Sequence, residues 1–333
     1  MKTYINEIRE NDHVDSFFLV KEKTSGLTKT GNAYLKLRLI DRSGEMEARI
    51  WTSAETFAGA FEKDDFVHLK GRAVSFQDHL QITVNYIETV QEDSIPLSDF
   101  FPMAERNVDE MLQCLIEISQ QVKNQHLSQL LHLFWEDNAF LEKFRMAPAS
   151  KSLHHTYLGG LLEHTLSATQ LVLKNVSHYS GLDVDLLITG TILHDMGKID
   201  ELSYSRSFDY SDEGRLLGHI IIGIERVEDK IRQIPDFPKD LSTLLKHLLL
   251  SHHGQYHWGS PKRPMTLEAV MLHYVDDMDA KINGIQQFLR TQVPDGSRWS
   301  AYHRMFEQFF YIPAPERKMQ IPDKIIKGEF EEE

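Results

Sequence analysis

Hydrophobic and polar side chains alternate along the first ninety residues of the chain. The alternation is clearest at 34–39, where the order is Tyr-Leu-Lys-Leu-Arg-Leu, and it returns at 47–50. A period of two predicts β-strands that bury one face. We predict five strands, at 16–24, 31–40, 45–51, 66–76 and 80–88, and a short helix at 54–61 after the third strand.

From residue 104 the hydrophobic positions recur every three to four residues, which is the period of an α-helix. Helices are predicted at 109–122, 126–137, 138–146, 161–178, 184–195, 215–232, 239–252 and 266–288. A polar segment that contains Pro96 and Pro102 separates the two patterns. We therefore predict a β-domain at 1–90, a linker at 91–103, an all-α helical bundle at 104–312 and a charged tail at 313–333.

Five strands with a helix after the third are the order of an OB-fold barrel, and residues 1–90 resemble the small OB-fold modules of nucleic-acid-processing proteins. Such barrels bind single strands by stacking bases on aromatic side chains beside a cationic groove. The candidates for this binding are Tyr34, Lys36, Arg38 and Trp51, together with Arg49. The alternative is that the two aromatic rings belong to the barrel core and that the basic residues form a solvated face.

The composition narrows the class of protein. The 333-residue chain has a net charge of −14, which argues against a protein that coats nucleic acid through bulk electrostatics. It does not exclude a nucleic-acid substrate held in a groove or by metal ions. The single cysteine, Cys114, excludes an intramolecular disulfide and suits a reducing cytoplasm. Residues 1–13 lack the apolar run of a signal peptide, and no other apolar run could span a bilayer, so we expect a cytoplasmic protein without membrane partners.

Histidine and aspartate residues interrupt the apolar faces of five predicted helices. They are His164, His194 with Asp195, His219, His252 with His253, and Asp276. An unpaired charged group is costly to bury, so an ordered set of this kind indicates a bound ion, although each residue alone would be typical of an ordinary core. Imidazoles and carboxylates without a thiolate suit Mn²⁺, Fe²⁺, Co²⁺ or Zn²⁺ rather than a structural cysteine–zinc site.

The order His164, His194–Asp195, Asp276 is similar to the metal-binding signature of the HD superfamily of phosphohydrolases, and the additional histidines resemble its two-metal members. An OB-type barrel ahead of Leu-His-Asp-Met-Gly-Lys at 193–198 and Ser-His-His-Gly at 251–254 resembles the YhaM-type 3′→5′ exoribonucleases. The resemblance includes 154–165, 214–220 and 276–281 and covers nearly the whole chain up to about residue 312. It implies metal-dependent release of nucleoside 5′-monophosphates from the 3′ end of single-stranded RNA, with single-stranded DNA as a further substrate class.

Two divalent ions follow from this resemblance. Ions about 3.5–4 Å apart neutralise a phosphate and activate a shared water. We assign one ion to His164, His194, Asp195 and Asp276, and the other to Asp195, His219, His252 and optionally His253. Asp195 would bridge the two ions. Mn²⁺ is the expected metal, and Co²⁺, Fe²⁺ and Zn²⁺ stay open as alternatives.

Other residues are assigned to catalysis and to the substrate. Asp195 and Lys198 are the predicted catalytic residues, and Lys198 would stabilise charge on the attacked phosphate unless it only complements the helix dipole. His155 and Arg215 are candidate phosphate contacts, because a guanidinium matches phosphate geometry. For His155 a hydrogen bond to a metal ligand is an equal alternative.

The loop at 255–264 directly follows the His252–His253 pair and carries Tyr256, Trp258, Lys262 and Arg263. It would either stack and guide the terminal base of a substrate or pack on its own helices. Two other functions stay open for the whole chain: an HD-domain nucleotide or cyclic-nucleotide phosphohydrolase, and a non-catalytic OB-fold nucleic-acid-binding protein. A barrel ahead of the helices favours a polymer, single-stranded RNA or DNA, as the partner, and self-association stays open.

Overall fold

The computed structural model describes residues 2–77, 79–151, 155–204, 209–294 and 296–313. The chain divides into two compact units, Met1–Ala280 and Lys281–Glu333. All but the first residue of the predicted charged tail lies outside the described residues, as does residue 154, where one of the family-like segments begins. The predicted domain boundaries therefore stay a prediction.

Five strands form a closed barrel in the first unit. They are β1 (His13–Leu27), β2 (Ala33–Asp41), β3 (Gly44–Ile50), β4 (Phe66–Phe76) and β5 (His79–Thr89), and a helical turn, α1 (Ala54–Phe57), lies between β3 and β4. The strand order is β1-β2-β3-β5-β4, with β3 and β5 parallel. Alternate side chains such as Leu35, Leu37 and Leu39 are buried inside the barrel. The predicted OB-fold barrel is confirmed.

Strand β1 is longer than predicted because it closes the barrel. Its first half pairs with β4 and its second half with β2, and the register shifts between Val20 and Glu22. A bulge of this kind bends a strand and increases its twist. No residue of β1 after Val20 is buried, so the alternation of hydrophobic and polar residues fades although the strand continues to Leu27.

The helical region packs around its own apolar core. Its longer helices are α2 (Val108–Ser119), α3 (Gln125–Trp135), α4 (Asn138–Met146), α5 (Gly160–Asn175), α6 (Val184–Leu193), α8 (Asp212–Ile231), α9 (Lys239–Ser251) and α10 (Leu267–Thr291). A short helix α7 (Lys198–Glu201) and a pair of short strands, β6 (Leu202–Ser203) and β7 (Asp209–Tyr210), lie between α6 and α8. Asn107, Asn124, Asp137 and Asp183 cap α2, α3, α4 and α6 by accepting hydrogen bonds from first-turn amides.

Several predicted helix ends differ from the observed ones. The helix predicted at 184–195 ends at Leu193, and the His-Asp pair lies in the turn before α7. The helix predicted from 215 begins at Asp212 and is interrupted at Gly218, where φ is 74° and ψ is 156°. Glycine adopts this positive φ without a steric penalty. The helix predicted at 161–178 ends at Asn175 and continues as a 3₁₀ turn, Val176–His178.

The predicted linker at 91–103 is packed rather than open. It contains two 3₁₀ turns, Glu92–Ser94 and Leu97–Asp99, and then buries Phe100 and Phe101. These rings join Leu19 and Phe66 of the barrel and Leu158 of the helical region in one apolar cluster. Two adjacent phenylalanines in a polar segment thus connect the barrel to the helices.

The second unit begins within α10 at Lys281. It contains the end of that helix and two isolated antiparallel bridges, Trp299 with Tyr311 and His303 with Gln308. The predicted helical domain, 104–312, thus includes residues of both units. Among the described residues, none of the helices combines the length and the hydrophobicity that a membrane span needs.

Candidate metal centre

The site is built on the turn that follows α6. This helix is buried on all sides from Leu186 to Leu193, so the residues after it emerge inside the helical core. The Nδ1 atom of His194 lies 2.7 Å from the carbonyl oxygen of Thr191. Because a carbonyl only accepts, Nδ1 must donate, and in the neutral imidazole Nε2 therefore carries the lone pair that a metal ion would bind. Asp195 follows at 2% exposure.

Gly197 allows this turn to approach α8 closely. A Cβ atom added at Gly197 would lie 2.0 Å from the carbonyl oxygen of His219 and 2.7 Å from the amide nitrogen of Gly223. A larger residue would push the two segments apart. The glycine in the Leu-His-Asp-Met-Gly-Lys segment therefore brings His219 towards Asp195.

Four of the predicted ligands converge as a first set. Nε2 of His164 lies 3.3 Å from Nε2 of His194 and 3.2 Å from Oδ1 of Asp276. Oδ2 of Asp195 lies 3.5 Å from the first imidazole and 3.4 Å from the second. The four ligand atoms lie within 4.8 Å of one another, although they come from α5, the turn after α6, and α10. The structure thus brings together residues that are more than a hundred positions apart.

The other oxygen of Asp195 faces a second set. Nε2 of His219 and Nε2 of His252 each lie 3.6 Å from Oδ1 of Asp195. These three atoms are buried and have no hydrogen-bond partner within the described part of the chain. Buried polar atoms are almost always paired, and leaving three of them unpaired at one point is costly. A divalent cation between them would satisfy all three, so the residues fit a metal ion.

His253 stands at the edge of the second set. Its ring centroid lies 4.3 Å from that of His252 and 5.1 Å from that of His219. The three imidazoles can offer ligand atoms within 4.8 Å of one another. His252 is fully buried, whereas His253 is partly exposed. The pair therefore fits a site in which His252 is the inner and His253 the outer residue.

In all five histidines Nδ1 bonds to an acceptor, and in His164, His194, His219 and His252 the Nε2 atom lies at most 3.6 Å from a carboxylate oxygen of the cluster. The acceptors of His252 and His253 are the carbonyl oxygens of Leu249, at 2.8 Å, and of Trp258, at 3.0 Å. His194 donates to the Thr191 carbonyl, as described above. His164 and His219 donate to carboxylates: Asp279 lies 2.7 Å from Nδ1 of His164, and Glu201 lies 3.0 Å from Nδ1 of His219. Metal-binding histidines characteristically have such a partner, which fixes the tautomer and the ring orientation.

Sequence reasoning missed Asp279 and gave Glu201 no role. Asp279 also contacts Nε2 of His155 at 3.3 Å and the hydroxyl of Ser167. The available signal was its spacing of three residues from Asp276, which places both carboxylates on one face of α10. The partner of Glu201 is His219 on a later helix, so no local sequence pattern predicts this contact.

The charges of the first set are strongly coupled. Burial alone would lower the pKa of His194, but the carboxylates of Asp195 and Asp276 raise it well above the usual range. Burial would likewise lower the pKa of His164, and the hydrogen bonds that its ring donates to Asp276 and Asp279 reverse the effect. Without a cation, protons on these imidazoles offset the carboxylates. A metal ion at this set would replace them.

The second set behaves in the opposite way. Burial, with the nearby imidazoles of His253 and His194, holds the pKa of His252 well below its usual value. Burial and the imidazole of His219 lower the pKa of His253 to about 4. Both rings are therefore neutral at pH 7. A neutral imidazole is the form that binds a metal ion.

The two predicted phosphate-binding cations lie in different settings. Lys198 is buried, and its ammonium donates to Oδ2 of Asp195 at 2.6 Å. Arg215 is exposed at the surface of α8 and is paired with Asp209 at 2.8 Å. His155 is buried, with its Nδ1 at 2.7 Å from the Tyr157 hydroxyl and its Nε2 near Asp279. His155 therefore reaches the predicted ligand His164 only through Asp279, and both roles considered for His155 stay predictions.

The residues of the barrel that we predicted to bind nucleic acid lie together on its outer surface. The rings of Tyr34 and Trp51 are 5.1 Å apart. Tyr34 is half-buried and Trp51 is 40% exposed, and neither ring is part of the buried cluster inside the barrel. The Arg49 guanidinium lies 5.4 Å from the Trp51 ring. Lys36 and Arg38 are paired with glutamates: Lys36 with Glu47 at 2.8 Å, and Arg38 with Glu22 and Glu45 at 3.4 and 3.6 Å.

Comparison with known proteins agrees with this geometry. A family model described as HD domain matches residues 161–281, which contain all seven predicted ligands. The chain is 32% identical over 303 residues to a 3′-5′ exoribonuclease YhaM from Geobacillus sp. (strain WCH70). The match covers 91% of this chain and 92% of that protein.

Among solved structures, two matches cover about a quarter of this chain. The second OB-fold domain of replication protein A from Methanococcus maripaludis is 22% identical, and the match covers 27% of this chain and 96% of that one with a TM-score of 0.23. The mitochondrial single-stranded DNA-binding protein Rim1 from S. cerevisiae is 15% identical, with 25% of this chain and 98% of that one covered and a TM-score of 0.21.

Proposed function

The chain belongs to the YhaM family of 3′–5′ exoribonucleases, and we propose that it removes nucleotides from the 3′ end of single-stranded RNA by metal-dependent hydrolysis. The observation that carries the proposal is that the two carboxylate oxygens of Asp195 face different sets of ligands. Its Oδ2 faces the first set of ligands, and its Oδ1 faces the Nε2 atoms of His219 and His252, which have no hydrogen-bond partner in the described part of the chain. We assign two ions to this arrangement, with Asp195 shared between them.

The first ion would be held by His164, His194, Asp195 and Asp276, and the second by Asp195, His219, His252 and His253. Divalent cations bound there would neutralise negative charge on the phosphate oxygens and lower the pKa of a bound water. Imidazole nitrogens and carboxylate oxygens suit Mn²⁺, Fe²⁺, Co²⁺ and Zn²⁺, and Mn²⁺ is the metal that we favour among them.

The chain's own residues orient the ligands and the substrate. Asp279 and Glu201 keep the protons of His164 and His219 on Nδ1, so that both Nε2 atoms face the ions. The ammonium of Lys198 supplies a positive charge beside Asp195, where negative charge develops on the attacked phosphate. Hydrolysis forms a bond from a water oxygen to phosphorus and breaks the bond to the 3′ oxygen of the preceding nucleotide. The released nucleotide therefore keeps its phosphate on the 5′ oxygen.

The barrel would hold the RNA upstream of the cleaved bond. The exposed Trp51 and the half-buried Tyr34 beside it, with the Arg49 guanidinium over Trp51, offer aromatic faces and a cation, which are the groups that bind single strands. Lys36 and Arg38 would exchange their glutamate partners for phosphates. We also place the protein in the cytoplasm, where its single cysteine, Cys114, would stay reduced. Self-association remains a prediction.

The test is the cleavage pattern of a 5′-labelled RNA oligomer incubated with Mn²⁺. We expect a ladder that shortens from the 3′ end, with nucleoside 5′-monophosphates as products. Asp195→Asn should lower the rate by about 10³-fold or more, because it removes the carboxylate that both ion sites share. Asp229→Asn, an exposed substitution on α8, is the matched control and should keep full activity.

Internal cuts along the oligomer, or turnover that survives chelation, would overturn the proposal. A DNA oligomer and a cyclic dinucleotide in parallel reactions separate the exonuclease from an enzyme that acts on small nucleotides. Binding of RNA without any cleavage across Mn²⁺, Co²⁺, Fe²⁺ and Zn²⁺ would favour the non-catalytic alternative.

A further inference from the structure

A short loop carries exposed aromatic residues next to the cluster. Helix α9 ends at Ser251, and the chain runs through His252, His253 and Gly254 into a 3₁₀ turn, Tyr256–Trp258. The side chain of Tyr256 is 62% exposed and that of Trp258 is 48% exposed. Large apolar rings at the surface of a loop beside a candidate active site indicate a binding surface.

The backbone of this loop is tightly held. Gly254 has a φ of +76°, and a Cβ atom added there would lie 2.3 Å from the ring of His273, so the chain turns directly over α10. Nδ1 of His273 bonds the carbonyl oxygen of His252 at 2.8 Å. At the other end, the Ser260 hydroxyl lies 3.0 Å from the carbonyl oxygen of Leu250. The two aromatic rings are thus presented by a fixed backbone, which lowers the entropic cost of binding a ligand.

The loop is joined to the cluster through His253. The carbonyl oxygen of Trp258 accepts from Nδ1 of this imidazole at 3.0 Å. His164, His194 and His252 are fully buried, whereas His253 and Asp276 are partly exposed. A phosphodiester that entered the cluster from the His253 side would pass the loop, and the base attached to it would then lie next to the aromatic rings.

We infer that Tyr256 and Trp258 bind the base of the 3′-terminal nucleotide by stacking, an inference that rests on the proposed function. Stacking on an aromatic ring accepts every base, because each base has a π-face, and it suits an enzyme that must remove all four nucleotides. The loop recognises the base, while the cluster acts on the phosphate. Removing either ring should therefore lower kcat/KM only when the substrate carries a base at its 3′ end.

The test compares two RNA oligomers that differ only at the 3′ end, one with an ordinary terminal nucleotide and one with a terminal abasic ribose. On the ordinary oligomer, Trp258→Ala and Tyr256→Ala should each lower kcat/KM by about 5- to 150-fold, the range for loss of one base stack. On the abasic oligomer, the wild type should lose at least the larger of the two factors, and the two variants should react as slowly as the wild type does.

Controls separate stacking from damage to the fold. Tyr179→Ala removes a ring that is 59% exposed and follows the far end of α5, and it should change neither rate. Trp258→Phe keeps an aromatic ring and should restore most of the rate. Mn²⁺ affinity should be the same in all variants, because the Trp258 carbonyl that holds His253 belongs to the backbone.

Equal losses on the two oligomers, or no loss on either, would overturn the inference while the exonuclease activity stands. A wild type that leaves the ordinary oligomer uncut would overturn the proposed function and this inference with it. The two failures are therefore distinguishable.

Discussion

Asp279→Asn should weaken metal binding although this carboxylate faces the cluster only through His164. Its Oδ2 accepts from Nδ1 of that imidazole at 2.7 Å, and its other oxygen accepts from Ser167. Burial would raise the pKa of Asp279, but hydrogen bonds from His155 and His164 hold it below its usual value, so the group is ionised at pH 7. The amide has nearly the same volume and creates no cavity.

The substitution changes the proton on the metal ligand. An asparagine amide can turn its NH₂ group towards Nδ1 of His164, which then accepts and moves its own proton to Nε2. That nitrogen points at His194 and Asp276 and would no longer offer a lone pair to an ion. Loss of such a partner typically costs 10- to 100-fold in metal affinity, which corresponds to about 1.4–2.8 kcal/mol.

The assay is a Mn²⁺ titration of the metal-free protein by calorimetry, paired with the Mn²⁺ dependence of RNA cleavage. We expect the half-saturating Mn²⁺ concentration to rise about 10- to 100-fold, with most of the rate restored at saturating metal. Asp229→Asn should leave the titration unchanged. A half-saturating concentration within twofold of wild type for Asp279→Asn would refute the reasoning, because the hydrogen bond to His164 would then contribute nothing to the ion.

Three further predictions concern other parts of the molecule. Mn²⁺ binding at pH 7 should release protons, because neighbouring carboxylates raise the pKa of His194 and the ion displaces the proton of that ring. The affinity for Mn²⁺ should therefore fall as the pH is lowered. A binding heat that does not depend on the ionisation enthalpy of the buffer would contradict this prediction. Gly197→Ala should lower the free energy of unfolding by about 1–3 kcal/mol in urea denaturation, because its Cβ would meet a backbone carbonyl of α8. Gly59 has open space around it, so Gly59→Ala should leave the free energy of unfolding nearly unchanged. Equal effects of the two substitutions would refute the steric reason. Trp51→Ala in the inactive Asp195→Asn background should weaken RNA binding by about 1–3 kcal/mol in fluorescence anisotropy, and an unchanged dissociation constant would remove this ring from the RNA path.

The fold was predictable wherever a local pattern decides the structure. The period-two alternation in β2 places Leu35, Leu37 and Leu39 inside the barrel, and the sequence shows this directly. The end of β1, at 25–27, was not predictable, because its residues pair with β2 without being buried. Likewise, nothing in the polar segment at 91–103 shows that Phe100 and Phe101 meet a cluster made by both domains.

The same distinction applies to the site. His164, His194 and Asp276 interrupt apolar helical faces, and that pattern predicts convergence because all such faces pack into one core. The partners on Nδ1 are a different matter. Asp279 and Glu201 look like ordinary acidic residues on their helices, and only the packing of α10 on α5, and of α7 on α8, brings them to their histidines.

The break in α8 has a similar origin. Gly218 precedes His219 in a segment with a continuous helical pattern, yet the backbone there has a positive φ. The interruption lets the amide and Nδ1 of His219 both bond to Glu201 at 3.0 Å. A hydrogen bond between distant segments therefore decides the local backbone, which no periodicity reveals.

Anomalous X-ray diffraction at the manganese edge, from crystals grown with Mn²⁺, tests the central claim most directly. Our account predicts two anomalous peaks, one among His164, His194, Asp195 and Asp276 and one among Asp195, His219 and His252, with the Asp195 carboxylate between them. An ordered cluster without a peak, or manganese bound only at other places on the protein, would contradict it.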